Sequence, residues 1–332
     1  MKGPRPPLRS QAREGTLNAA VRIRVPATSA NLGPAFDCAG LALACHDVLE
    51  FSLLERGSTE IVVRGEGAGM LAADESHLVA RAFRAGCAEL GWDAPGLRIE
   101  ADNGIPQGRG MGSSAAAVVA GLLAAWSLCP EVDAVDGDAV LRLADALEGH
   151  PDNVAPCLLG GATLSWSTAG GARADRLDVS DEVLAVVLVP EHVLPTHVAR
   201  TLLPGSVPHG DAAFNAGRAA LLVHALTREP GLLLEATEDR LHQRQRAAAM
   251  PDSLAVVDRL RDAGHAAVVS GAGPSVLVLT RRHPDDPPGD PAAALRVREV
   301  GALVPAGWRV LPLPIDLAGA RVLRGLAEVS SR

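Results

Sequence analysis

Ile105-Pro106-Gln107-Gly108-Arg109-Gly110-Met111-Gly112-Ser113-Ser114-Ala115-Ala116 is the stretch on which the fold turns. Glycines at alternate positions, Gly108, Gly110 and Gly112, let the backbone come close to an anion, and their N–H groups can form a concave nest. The chain then enters SSAAAVVAGLLAAWSL, which has no polar face and predicts a buried helix starting at Ser113 or Ser114. A helix start adds the positive end of its dipole to the same spot. The pattern reads as a phosphate cradle, and a serine hydroxyl at the loop–helix junction is placed to ligate a Mg2+ that travels with ATP. It also reads as a glycine-rich turn capped by serine ahead of a core helix. It does not fit the dinucleotide fingerprint, because Ser113 stands where the third glycine belongs.

The cradle has no lysine. Of the basic residues only Lys2 is lysine, and thirty are arginines. That excludes a Walker A loop, a protein kinase and a Schiff-base or pyridoxal enzyme, each of which needs a lysine side chain. Tyrosine is absent, and with four Trp and four Phe the core must be built from Ala, Leu and Val. The 332 residues are 48% hydrophobic and carry a net charge of −8. This is enough chain for two domains at roughly 100–200 residues each, and it shows no basic patch of the kind that marks a nucleic-acid partner. No run of about 18 apolar residues offers a membrane span, and the first residues lack the apolar core of a secretory signal, so a cytoplasmic location is expected. Five cysteines (Cys38, Cys45, Cys87, Cys129, Cys157) are scattered without a CxxC pair, which argues for reduced thiols over disulfides or zinc.

Outward from the cradle, residues 1–18 read as a tail without fixed structure. AAVRIRVPATSA reads as a strand that stops at a turn containing Pro26. LALACHDVLEFSLLE, TEIVVRG and GLRIEADNGIP follow as strands, with a helix in SHLVARAFRAGCAELG that Ser76 can cap. DAVLRLADALEG is helical and carries Glu148 near its end. The second half offers strand EVLAVVLVP, helices around FNAGRAALLVHAL, TEDRLHQRQRAAA and SLAVVDRLRDAG, and two strand runs around the glycine turn of HAAVVSGAGPSVLVLT. A proline-rich loop, RRHPDDPPGD, precedes a final helix, strand and helix. This irregular alternation favours α+β over a strict βαβ repeat.

Three more segments carry polar groups suited to chemistry. In Pro26–Asp37, the side chains of Thr28, Ser29, Asn31 and Asp37 gather in what reads as a loop, either to hold a ligand or to form an Asx turn. In Ala146–Gly161, Glu148, Asp152 and Asn153 would bring carboxylates and an amide together, as a metal–phosphate site requires, while His150 before Pro151 reads as a structural turn residue. The turn at 270–275, with Gly271, Gly273 and Ser275, can brace the phosphate loop or serve only as a hairpin turn.

In this order the segments resemble the three motifs of the GHMP kinases, the superfamily of galactokinase, homoserine kinase, mevalonate kinase and phosphomevalonate kinase. PATSANLGPAFDCAGLAL, RGMGSSAAAVVAGLLA, EGHPDNVAPCLLGGATL and VSGAGPSVLVL resemble its homoserine kinase branch in particular, over about residues 20 to 325. The resemblance implies a two-domain α+β GHMP kinase fold: a tail at 1–18, then a ribosomal protein S5 domain 2-like ATP-binding domain over 19–175. A ferredoxin-like domain over 176–332 would follow, and a homodimer is implied. It implies phosphoryl transfer from MgATP to the hydroxyl of L-homoserine for threonine biosynthesis. By the same likeness, Pro106, Gln107, Gly108, Arg109, Gly110, Met111, Gly112, Ser113, Ser114, Ala115 and Ala116 wrap the ATP phosphates, and Ser114 and Glu148 hold Mg2+. Asn31, Asp37 and Asn153 fall on homoserine positions, Asp37 facing the substrate ammonium; Arg200 and Arg246 offer bidentate forks for its carboxylate. Asp152 is the candidate base, against a version that works by positioning and charge alone with Asn153 near the acceptor hydroxyl. Departures from the family pattern are Ala35 for Gly, Met111 for Leu, and His77 where an Asn often stands near the adenine. Other readings are a GHMP kinase with a different small alcohol, such as mevalonate, and a ligand-binding relative without catalysis.

Overall fold

The computed structural model describes residues 8–9, 20–55, 57–283, 285–286 and 294–323. The expected tail lies outside these residues apart from Leu8–Arg9, and so do half of the proline-rich loop and the expected terminal helix after Leu323. The first half runs β1 (Leu8–Arg9), β2 (Ala20–Ala30), β3 (Ala39–Leu54), β4 (Thr59–Gly65), α1 (Leu78–Glu89), β5 (Gly96–Asn103), α2 (Ser113–Leu128), β6 (Ala134–Val135), α3 (Gly137–Glu148), α4 (Val154–Leu159), β7 (Ala162–Thr168) and β8 (Gly171–Leu177). The second runs β9 (Val183–Val189), α5 (Thr196–Thr201), α6 (His209–Thr227), α7 (Leu233–Ala236), α8 (Pro251–Asp262), β10 (Ala266–Val269), β11 (Val276–Arg281), α9 (Leu295–Ala302), β12 (Arg309–Leu313) and β13 (Arg321–Leu323).

The first sheet has the order β13-β2-β3-β5-β4, with β7 added to β3 and β8 to β7. Only β4 and β5 pair in parallel. β3 is long enough to hold β5 through residues 47–54 and β7 through residues 39–41, on one edge. The gap between those two ladders is where the glycine loop leaves the sheet. α2 lies under this sheet with nearly every residue buried, as its lack of a polar face requires.

The second sheet is antiparallel with the order β10-β11-β9-β12, flanked by α8 and α9, which is the ferredoxin-like order expected of this half. All seven residues of β9 are buried. Leu184, Val186 and Leu188 pack with Leu254, Val257 and Leu260 of α8 and with Val297 and Val300 of α9. Val183, Ala185, Val187 and Val189 join the larger core of the first sheet. A strand covered on both faces shows as an unbroken apolar run, which is how EVLAVVLVP reads. The chain's last described strand, β13, returns to the first sheet beside β2.

Three local expectations are corrected. The strand expected to stop at Pro26 continues to Ala30, because a register shift between Pro26 and Ala27 absorbs the missing N–H. Thr28 and Ser29 are therefore strand residues, not loop residues. Helix α1 is capped by His77, whose Nδ1 accepts the Val79 N–H, and not by Ser76, which turns instead to Asp74. The helix expected over 237–249 is a turn followed by a short 3-10 helix at Arg244–Ala249. Tertiary bonds override the local propensity there: Gln243 Oε1 accepts the Val269 N–H, and His242 Nε2 is 2.7 Å from the Gly33 carbonyl.

Candidate active site

The glycine loop bridges β5 and α2 with backbone that side chains would not allow. Gly108, Gly110 and Gly112 all have positive φ (63°, 68° and 69°). A Cβ on Gly110 would lie 2.2 Å from the Ser270 carbonyl oxygen, and one on Gly112 would lie 1.8 Å from Thr28 Oγ1. The first turn of α2 carries no side-chain cap at Gly112, so its N–H groups remain for an anion.

The loop is fastened from several directions. Thr28 N–H donates to the Met111 carbonyl (3.0 Å), and Ser270 Oγ donates to the Gly110 carbonyl (2.6 Å) while lying 2.9 Å from Ser29 Oγ. The Arg109 guanidinium donates to the carbonyls of Pro190, Glu191 and Gln107, tying the loop to the second half of the chain. Of the 270–275 turn, Ser270 makes these contacts and Ser275 does not: its hydroxyl is buried without a partner. Gly271 reaches the site through its carbonyl, which accepts from Asn31 Nδ2 (3.0 Å) and Arg246 Nη1 (3.2 Å).

Beside α2, Ser114 Oγ donates to Glu148 Oε1 at 2.5 Å. Glu148 is the last residue of α3 and has no ion-pair partner among the described residues. From there the HPDN turn leads to α4. Asp152 is buried, and its Oδ1 lies 3.0 Å from His150 Nδ1 and accepts from Asn153 Nδ2 (3.4 Å). The His150 ring is held above its ordinary pKa by this bond to Asp152, against the opposing effect of burial. Thr28 Oγ1 donates to Asn153 Oδ1 at 2.9 Å, which fixes the amide's orientation.

Opposite lie the two arginines. Arg200, on α5, forks onto Asp37 with Nη2–Oδ1 at 2.7 Å and Nη1–Oδ2 at 3.3 Å. Arg246 is buried, with its charge set against Gly271's carbonyl and the face of Phe36, whose ring centre also lies 5.7 Å from Arg200's guanidinium carbon. The Nε–H of Arg200 and the Nε–H of Arg246 are both buried without an acceptor. Both guanidinium groups lie over the Phe36 ring and line the cavity, and a planar fork of this kind matches a carboxylate. Asn31 has both ends of its amide engaged, Nδ2 on Gly271 and Oδ1 on the Asp37 N–H (2.9 Å), so it sets the backbone that presents Asp37. Asn31 and Asp37 themselves sit at positive φ, 70° and 55°.

These groups surround one cavity of about 710 Å³. The loop residues 106–115, Glu148, Asp152, Asn153, Asn31, Arg200 and Arg246 all line it; Asp37 is not in this lining and meets it through its pair with Arg200. Its far end is apolar, walled by Leu49, Leu71, Leu78, Val79 and Ala101, with His77 beside them. The volume suits a nucleotide and a small acceptor laid end to end.

Comparison with known proteins identifies the family. The family model described as the GHMP kinases N terminal domain matches residues 77–161, and the GHMP kinases C terminal model matches 215–302. The homoserine kinase of Streptomyces avermitilis is 52% identical over 306 residues, spanning 92% of this chain and 96% of that one. The chain belongs to the homoserine kinase family. A second family member, the homoserine kinase of Leifsonia xyli, is 51% identical over 92% of each chain. The crystal structure of homoserine kinase from Cytophaga hutchinsonii superposes with a TM-score of 0.79 at 26% identity, covering 94% of this chain and all of that one. Mevalonate diphosphate decarboxylase from Staphylococcus aureus, at 14% identity and a TM-score of 0.62, shares the fold. Membership in the homoserine kinase family makes the chain an ATP-dependent kinase with an alcohol acceptor. Sequence reasoning expected the 270–275 turn to brace the loop and named Thr28 among the polar groups; it did not give their partners, the Gly110 carbonyl for Ser270 and Asn153 for Thr28, because each lies more than a hundred residues away. It also missed Asp47. No described helix is long and apolar enough to cross a membrane.

Proposed function

We infer that this chain transfers the γ-phosphoryl group of ATP to the side-chain hydroxyl of L-homoserine, giving O-phospho-L-homoserine and ADP. The observation that carries the acceptor is that the guanidinium side chains of Arg200 and Arg246 line one wall of a cavity whose other wall is the glycine loop. Mevalonate also carries a carboxylate; it has no ammonium to use Asp37.

In this reading residues 106–115 hold the ATP phosphates, the expected Ala116 being buried with its N–H already donated to the Gly112 carbonyl, and the apolar end takes the base. Ser114 and Glu148 would hold Mg2+. The fit is supported by the donor set, one hydroxyl and one carboxylate free of any protein cation, with room for phosphate oxygens. A bound Mg2+ supplies charge neutralisation across the β- and γ-phosphates. Homoserine enters the Arg200–Asp37 pair: its ammonium goes to Asp37, and its carboxylate to Arg200 and Arg246. Asn153, oriented by Thr28, steadies the acceptor hydroxyl. The hydroxyl oxygen forms the new bond to the γ-phosphorus as the bond to the β–γ bridging oxygen breaks. ADP departs, and the hydroxyl proton leaves to solvent. A protein base is not required for a loose transition state. Asp152 is supported in a structural part, since its Oδ1 is already engaged by His150 and Asn153.

The expected division at 175/176 falls inside β8, so the proposed division moves to the link between β8 and β9; a homodimer and a cytoplasmic location complete the proposal, and the dimer is tested by sedimentation of the purified chain. The activity is tested by coupled ADP release with L-homoserine beside mevalonate, galactose and L-serine. Turnover with homoserine alone supports the reading, and turnover with another acceptor in preference overturns it.

A further inference from the structure

Asp47 carries no motif, yet it stands where the sheet lets the glycine loop go. The β3–β5 ladder ends at the pair Asp47–Asn103. The next two backbone N–H groups have no strand to pair with, and both turn to one side-chain oxygen: Gly104 N–H and Ile105 N–H donate to Asp47 Oδ1 at 2.8 and 2.9 Å. Cys45 Sγ donates to the Gly104 carbonyl at 3.2 Å, and a Cβ on Gly104 would lie 2.7 Å from the His46 carbonyl oxygen. The chain is thus pressed against β3 at the point where it departs. Asp47 is 4% exposed, pairs with no cation among the described residues, and borders the cavity. A buried carboxylate with no counter-charge is expensive to keep, and its structural return is the two amides it holds.

We propose that Asp47 is a positioning residue for the nucleotide, fixing the near end of the phosphate loop as Ser270 and Thr28 fix the far end. Its side chain extends the ladder by one step and sets the angle at which residues 104–110 leave the sheet. The proposal rests on reading that loop as the phosphate site. Release of the near end lets the loop's N–H groups drift from the phosphates, which weakens ATP and leaves homoserine's grip at Arg200, Arg246 and Asp37 untouched.

The test compares Asp47→Ala, Asp47→Glu and Asp47→Asn in the whole enzyme, with KM for ATP and KM for homoserine measured separately. Asp47→Ala is expected to raise KM for ATP roughly tenfold or more and to leave KM for homoserine within about twofold. Asp47→Glu, which keeps the charge and moves the oxygen by one methylene, is expected to raise KM for ATP in the same direction even if the alanine variant folds poorly. Asp47→Asn, whose amide oxygen can still accept both N–H groups, is expected to restore KM for ATP to within about threefold. An asparagine variant as impaired as alanine overturns the proposal, as does a glutamate or alanine variant that shifts both KM values alike. Gly108→Ala, inside the loop, separates the two levels of inference. If it leaves KM for ATP unchanged, the reading of the loop has failed; if it raises KM while the Asp47 variants do not, the anchor alone has failed.

Discussion

Replacing Arg200 by glutamine separates what the arginine does for the fold from what it does for the substrate. In the structure its partner is Asp37, with the two side chains 34% and 36% exposed. An ion pair that open to water contributes about 1 kcal/mol or less, so the melting temperature should fall by only a few degrees. With substrate bound, the same guanidinium loses its hydration and faces a carboxylate through two charge-assisted hydrogen bonds, worth roughly 2–3 kcal/mol beyond what a neutral amide restores. That predicts a fall of about 30- to 150-fold in kcat/KM for homoserine at saturating ATP, with KM for ATP unchanged. The decisive comparison uses 3-aminopropan-1-ol, which keeps the hydroxyl and the amine of homoserine and lacks its carboxylate. The variant should handle this poor acceptor about as well as the unsubstituted enzyme does. A loss of the same size on both acceptors, in the coupled ADP assay, would refute the assignment of Arg200 to the carboxylate, and so would a loss under about threefold on homoserine.

Three further outcomes follow from the geometry. Glu148→Gln is expected to lower kcat by about a hundredfold or more and to move the Mg2+ concentration for half-maximal rate upward, read by titrating Mg2+ at fixed ATP. Asp152→Asn is expected to keep turnover within about tenfold if the protein remains folded; a loss of about 10³-fold would establish a base instead. Burial pushes the Asp47 carboxyl up to about 6, outweighing the two backbone N–H groups that favour the anion. Its folded value lies above the unfolded one, so ionising it costs stability, at most about 3 kcal/mol, that is fully felt above pH 6 and fades as the pH falls toward 4. Asp47→Asn should therefore gain in melting temperature relative to the unsubstituted enzyme at pH 8, with the gap shrinking below pH 6 and closing only toward pH 4; a gap independent of pH would contradict the assignment.

Much of this was legible in the sequence, and for identifiable reasons. The glycine loop and α2 are local: alternating glycines can adopt positive φ without cost, and a helix without a polar face has to be buried. Glu148 at the end of α3 and the HPDN turn are local too, and the structure brings Ser114 and Glu148 within one hydrogen bond. The strand through Pro26 was misjudged because a register shift, invisible in one sequence, can absorb a proline. The helix expected at 237–249 was misjudged because Gln243 and His242 are held by Val269 and Gly33, far away in the chain. The same limit hid Asp47, and the partners of Ser270 and Thr28. A lone serine, threonine or aspartate in a strand pattern looks like any other until the topology sets a loop against it. That Arg200 and Asp37 face each other was also beyond the sequence; it named both residues for one substrate, and the structure pairs them with each other.

The central claim is tested most directly by measuring ADP release by the purified protein with MgATP and L-homoserine, with and without a chelator of Mg2+, beside mevalonate, galactose and L-serine. The account predicts release that depends on homoserine, stops when Mg2+ is withdrawn, and is weak or absent with the other three. ATP binding without turnover on homoserine, or faster turnover on mevalonate or galactose, would contradict it.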